Sequence, residues 1–193
     1  MKYMHAALDG LRQSPVITRQ ELFRLLAHAG SGKQYRDLLL HNLLKKGAIK
    51  RITRGAYTAF DDVQLAGFAF RPFYYGLQDA LSLRNLWEQE TVPVIITPRK
   101  VRSGIRQFEG ANYLIRRIER RMFFGSELIK YGGFWIPVSD AEKTLIDFAY
   151  FNEPLPKEAL RELRRRIDRK KLASYLKKCG SRLRRKLERL ALH

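Results

Sequence analysis

SGKQYRDLLLHNLLKKGAIKRITRGAYTAF, residues 31–60, changes its hydrophobic period halfway along. From Lys33 to Lys46 no glycine or proline interrupts the run, and Tyr35, Leu38, Leu39 and Leu43 recur at helical spacing behind Ser31, a good N-cap. Wound as a helix, those four make one apolar stripe. Gln34, Asp37, His41 and Lys45 then lie opposite, flanked by Lys33 and Arg36. Gly47 occupies a C-cap position, and the chain passes at once into Ala48–Ile52, a short β-prone segment. Thr53, Arg54 and Gly55 predict a tight reversal, and Ala56–Phe60 a returning strand with Tyr57.

Helix, then basic hairpin, is the order in which a winged helix-turn-helix reads bases with the helix and holds phosphates with the wing. Lys33, Gln34, Arg36, Asp37 and His41 are accordingly expected at base edges. Lys45, Lys50, Arg51, Thr53 and Arg54 are expected at phosphates. The preceding residues fit that order. Met4, Ala7, Leu8 and Leu11 recur at helical spacing up to a break at Pro15. Thr18 with Glu21 predicts a capping box, Ile17 can close on Leu22, and Leu22, Leu25 and Leu26 form the inner stripe of a second helix.

Charge points the same way. With 38 basic and 19 acidic side chains, the net charge of +19 implies a polyanionic partner, nucleic acid before an anionic membrane surface. The excess is uneven: residues 1–60 carry eleven Lys/Arg against three Asp/Glu, residues 61–155 twelve of each, and residues 156–193 fifteen against four. This predicts an α+β protein with three parts: a winged helix-turn-helix over 1–60, a mixed α/β domain over 61–155, and a basic helical tail over 156–193 packed on it. Cys179 is the only cysteine, which excludes an intrachain disulfide and a cysteine-based zinc site. No run approaches the ~20 apolar residues of a membrane span, and the N-terminus lacks a signal core, so a cytoplasmic setting is expected.

In the middle segment, Phe68, Phe70, Phe73, Tyr74 and Tyr75 read as a seal between elements or, alternatively, as a stacking surface for bases. A helix is expected over Leu77–Leu86, and strands over Val92–Thr97, Tyr113–Ile118, Ser126–Tyr131 and Phe134–Val138. Arg99, Lys100, Arg102, Arg116 and Arg117 form a secondary basic surface for nucleic acid or an acidic protein. Ser139 and Glu142 read as a second capping box, and Leu145, Ile146, Phe148 and Ala149 as the inner face of the helix it starts. Three short amphipathic helices follow, with stripes at Leu160, Leu163 and Ile167, at Leu172, Tyr175 and Leu176, and at Leu183, Leu187 and Leu190.

Catalytic chemistry is weakly signalled. Asp140, Glu142 and Asp147 around Lys143 allow a metal-dependent nuclease as an alternative, but Glu142 and Lys143 are adjacent on a helix, whereas the E-x-K pattern needs acid and lysine on one strand face. Asp147, one turn past Lys143, suits an intrahelical ion pair instead. His5, His28, His41 and His193 show no metal-ligand spacing, and Gly30–Lys33 lacks the spacer of a phosphate loop. No enzyme activity, cofactor or metal is expected; a general RNA-binding role stays open.

Taken in order, the helix–wing unit with Ile49–Tyr57, Tyr75–Leu83, Phe123–Gly125 and Ser139–Asp147 resembles the AbiEi antitoxins of type IV, abortive-infection toxin–antitoxin systems. The corresponding patterns are L-K-R-I-x-R-G-x-Y, Y-x-x-L-x-x-A-L-S, F-F-G and S-P-E-K-A-L-L-D; this chain has Ile49 for leucine and Asp140 for proline. The likeness runs from about Ser14 to Tyr150. It implies a DNA-binding head that represses its own operon and a C-terminal domain that counters a nucleotidyltransferase-like toxin encoded alongside. Double-stranded DNA and a cognate toxin are the implied partners, and monomer or dimer on DNA is left open.

Overall fold

The capping box at Thr18 forms as its spacing predicts. The Thr18 hydroxyl accepts from the Glu21 amide at 3.2 Å, and the Glu21 carboxylate accepts from the Thr18 amide at 2.7 Å. That reciprocal pair satisfies two of the donors left over at a helix start. It opens α2 (Arg19–His28), which lies between α1 (Lys2–Gln13) and α3 (Lys33–Lys45). The computed structural model describes residues 2–192; the expectations placed on His193 and on the Leu190 side chain lie outside the described residues.

The chain is mixed α+β and divides into two units, Met1–Arg71 with Gln107–Ala111, and Pro72–Arg106 with Asn112–His193. In the first unit, β2 (Lys50–Thr53) and β3 (Ala56–Thr58) pair antiparallel, and β1 (Ile17–Thr18) adds to β3, giving the order β1-β3-β2. Gly55 turns the hairpin at φ +79°, where a side chain would be strained. The core joins Ala7 and Leu11, Leu22 and Leu26, Leu39, Leu40 and Leu43, and Ile49 and Tyr57. Each buried leucine there stabilises the unit by about 1.5–3 kcal/mol relative to exposure. The Thr58 hydroxyl donates to the Pro15 carbonyl at 2.7 Å, so the third strand is tied to the break before α2. A 3-10 helix over Val63–Phe70 follows. The Asp62 carboxylate caps it, accepting from the Gln64 amide at 2.8 Å.

The second unit is organised on a six-stranded sheet, in the order β6-β7-β5-β4-β9-β8: β4 (Tyr74–Tyr75), β5 (Val94–Thr97), β6 (Gly104–Phe108), β7 (Ala111–Arg117), β8 (Ser126–Tyr131) and β9 (Phe134–Ser139). The β5–β7 and β4–β9 pairs are parallel, and β4–β5 and β8–β9 antiparallel. Four of these strands lie where alternation predicts them. Two do not: β4 is too short to show a period, and β6 buries Phe108 but leaves Ile105 73% exposed, so no apolar face marks it.

Against the sheet lie α4 (Leu77–Leu83) and α5 (Ala141–Phe151), and then α6 (Lys157–Arg166), α7 (Arg169–Leu176) and α8 (Ser181–Leu192). Every residue of α5 from Ala141 to Ala149 is buried, because α4, α6, α7 and α8 all contact it. Ala159, Leu163, Leu172, Cys179 and Leu187 share one core with Leu145, Ile146 and Phe148. The basic C-terminal helices are therefore part of this core and present their Arg and Lys outward. Phe70, Phe73, Tyr74 and Tyr75 are buried, the sealing role rather than a stacking surface; Phe73 meets Tyr75 edge-on at 5.2 Å. No described helix is long and apolar enough to cross a membrane.

Candidate nucleic-acid interface

The inner face of α3 is made by Leu39, Leu40 and Leu43, with Arg36 beside them half-buried. This corrects the expected stripe: Tyr35 is 42% and Leu38 55% exposed. Packing selects the face one position round from the one that Tyr35 and Leu38 would give, because Leu40 must meet the core of α1 and α2. The outer ridge of α3 is Gln34, Leu38, His41 and Lys45, at i, i+4, i+7 and i+11, all exposed, with exposed Lys33 at the helix start.

Ser31 does not cap the helix; Gly32 is the N-cap and supplies no side chain. The buried Ser31 hydroxyl donates instead to the Leu26 carbonyl at 2.6 Å. Arg36 closes on the same place, its Nη2 donating to the Ser31 carbonyl at 2.8 Å and its Nε to the Ser31 hydroxyl at 3.2 Å. Its guanidinium locks the turn between α2 and α3. Asp37 is likewise engaged, ion-paired with Arg19, whose guanidinium sits 4.7 Å from the Phe23 ring centroid. Of the five side chains expected at base edges, Lys33, Gln34 and His41 are exposed and, among the described residues, have no competing partner of this kind.

On the hairpin, Arg51 and Arg54 are exposed and Thr53 half-buried. A register shift between Arg51 and Thr53 bends β2 just before the turn. Lys50 is differently placed. Its ammonium pairs with Asp61 and, at 2.7 Å, with Glu109, and these two hydrogen bonds hold its pKa above the ordinary lysine value. Sequence reasoning missed α2's contribution: Arg19, Gln20, Arg24 and Arg36 line a cleft of about 760 Å³. The signal was there in the outward-facing polar positions between Thr18 and Leu26, overshadowed by the leucine stripe.

In the second unit, Arg99, Lys100, Arg102 and Arg117 are exposed, whereas Arg116 is ion-paired with Glu153 and lies 5.9 Å from the Phe151 ring centroid. Arg99, Lys100, Arg117, Arg120 and Tyr150 line a cleft of about 730 Å³. A second, of about 840 Å³, is lined by Arg121, Tyr150, Arg182, Arg185, Lys186 and Arg189. The contribution of α8 to that surface was not legible, since its arginines look like any solvated helix face.

The acidic residues around Lys143 have structural partners. Asp140, not Ser139, caps α5, accepting from the Lys143 amide at 2.7 Å, while its other oxygen accepts from the Tyr175 hydroxyl at 2.8 Å. The Ser139 hydroxyl is 2.7 Å from that of Thr144. Glu142 reaches across to the start of α7, accepting from the Asp168 amide at 2.7 Å. Lys143 and Asp147 form the anticipated i, i+4 ion pair, fully buried, and the Tyr74 hydroxyl donates to Asp147 at 3.0 Å. Burial raises the Asp147 pKa in spite of the neighbouring lysine, and burial together with Asp147 drives the Tyr74 hydroxyl far above its ordinary value. Gly125 completes the cluster at φ +71°: a Cβ there would lie 2.8 Å from Lys143 Cβ and 2.9 Å from the Tyr175 ring. Among the described residues no group of three His, Cys, Asp or Glu could hold a metal ion.

Residues 11–59 match the family model for the transcriptional regulator, AbiEi antitoxin family, so the resemblance read from the sequence is shown over that stretch. The matched segment runs from the end of α1 through the hairpin; the family is one of regulators and antitoxins, which suggests a regulatory role. The crystal structure of the RV2827C protein from Mycobacterium tuberculosis matches with a TM-score of 0.60 at 15% identity, covering 99% of this chain and 76% of that one. At that identity the likeness is one of fold. No curated protein matches the chain.

Proposed function

We propose that this chain is a sequence-specific, double-stranded-DNA-binding regulator of the AbiEi antitoxin type, working in the cytoplasm without a cofactor. The first unit is a winged helix-turn-helix, with α3 as the recognition helix and the β2–β3 hairpin as the wing. Lys33, Gln34 and His41 read bases, and Lys45, Arg51 and Arg54 hold phosphates. The carrying observation is the coincidence of three features within the family-matched residues: a four-residue ridge turned outward on α3, two exposed arginines on the adjoining hairpin, and a guanidinium-lined cleft beside α2. The exposed cations of the second unit add a further surface for a polyanion.

From the resemblance we further propose that the protein represses its own operon and that the second unit counters a nucleotidyltransferase-like toxin. Selection of bound sequences from random duplexes, followed by salt titration on the selected site, tests the first part. A defined site with steep salt dependence is expected; equal binding of all duplexes, or preference for structured RNA over every duplex, removes the sequence-specific reading. Magnesium- or manganese-dependent cleavage of DNA by the wild type, lost in an Asp147 variant whose thermal melting is unchanged, would replace it with a nuclease.

A further inference from the structure

We infer that α3 reads A·T pairs, with Gln34 on the adenine of one and Leu38 against the thymine methyl group of another one or two steps away; this rests on the regulator reading above. Two of the side chains suited to G·C are engaged within the protein. An arginine or lysine on guanine and a carboxylate on cytosine are the favourable pairings for that base pair, and exposed Lys33 stands at the helix start, outside the ridge of Gln34, Leu38, His41 and Lys45. Here Arg36 is held by three hydrogen bonds to Ser31, and Asp37 by Arg19. What the first two turns of α3 present on the ridge is an amide and a methyl-rich side chain. Gln34 is exposed, and Leu38 is 55% exposed although it stands among Gln34, His41 and Lys45 on an otherwise polar ridge.

The chemistry of that pair is specific. A glutamine amide donates to adenine N7 and accepts from adenine N6 in the major groove, and the thymine C5-methyl group is the one apolar feature there. Gln34 and Leu38 are one turn apart, about 6 Å along the helix. Base pairs rise by about 3.4 Å, so the two side chains reach base pairs one or two steps apart. Water-exposed leucine on this ridge gains by covering a methyl group, and a cytosine at the same position would leave it facing an amino group.

The test uses the full chain, duplexes selected from a random pool, and the same duplexes with each thymine replaced in turn by deoxyuridine, which removes only the methyl group. The wild type should select A·T pairs at two positions one or two steps apart and bind one uracil-substituted duplex about fourfold more weakly, the equivalent of one buried methyl group. Leu38→Ala should bind the thymine and uracil duplexes equally, and Gln34→Ala should lose roughly fivefold or more at the adenine of the other pair. Both substitutions are on the surface, so unchanged thermal melting is expected alongside. Sites with G·C at those positions, or equal sensitivity to uracil in wild type and Leu38→Ala, overturn the inference while leaving DNA binding intact. Failure of the wild type to bind any duplex overturns both.

Discussion

The Lys50 ammonium lies 2.7 Å from the Glu109 carboxylate and is also ion-paired with Asp61. A lysine that already has two carboxylate partners releases few counterions when a phosphate approaches. Lys50→Met should therefore leave the slope of log affinity against log salt nearly unchanged, while Arg51→Met or Arg54→Met each lowers it by about one. Glu109→Gln should have the opposite effect to the arginine changes, tightening binding to every duplex at low salt. A titration from low to moderate salt on one duplex distinguishes these outcomes.

Arg36→Ala should act on stability rather than on base preference. The guanidinium satisfies the Ser31 carbonyl at the α2–α3 turn, and hydrogen bonds from charged donors contribute about 1.5–3 kcal/mol. A fall in the urea midpoint with an unaltered selected sequence is expected. Asp37→Ala removes only a half-exposed pair with Arg19, and should leave the urea midpoint nearly unchanged.

The Lys143–Asp147 pair has no exposure at all. Removing one partner leaves the other charge buried, so Lys143→Met or Asp147→Leu alone should destabilise the chain by about 3–5 kcal/mol. Replacing both, as Lys143→Met with Asp147→Leu, should cost less than the two single changes summed. Denaturant unfolding of the three variants gives the coupling directly.

Alkaline pH should unfold the protein earlier than its arginine content suggests. The Tyr175 hydroxyl is pushed up to about 12 by burial and by its hydrogen bond to Asp140. Burial opposes the Lys171 charge, but hydrogen bonds to Glu127 and Asp140 outweigh it and hold the ammonium above its ordinary value. Both groups keep their protons at higher pH when folded than when unfolded. Their contribution is complete below about pH 10 and drains as the pH rises through the folded values. Denaturation curves between pH 8 and pH 12 should show this decline, and Tyr175→Phe should flatten it while lowering stability at pH 8.

What could be read beforehand follows from how local each signal is. Thr18 and Glu21 find each other within one turn, as do Lys143 and Asp147, and both contacts form where spacing places them. Ser31 and Ser139 look equally good as caps, yet both are drawn into tertiary contacts, Ser31 under Arg36 and Ser139 against Thr144, and the neighbouring Gly32 and Asp140 cap instead. The orientation of α3 was one residue out for the same reason. Leucines at 38, 39 and 40 give two acceptable stripes, and only the positions of α1 and α2 decide between them. Partners remote in sequence, Glu109 for Lys50 and Glu153 for Arg116, leave no mark in local pattern and so could not be anticipated.

The bare backbone at Gly125 has a reach beyond its own turn. Because the space a methyl group would need is taken by Lys143 from one helix and Tyr175 from another, three segments separated by fifty residues of chain are fitted to a single clearance. None of them is free to drift alone: a relative with a side chain at that point must have trimmed the residue corresponding to Lys143 or Tyr175, and with it the buried charge pair or the hydroxyl that steadies the cap of α5.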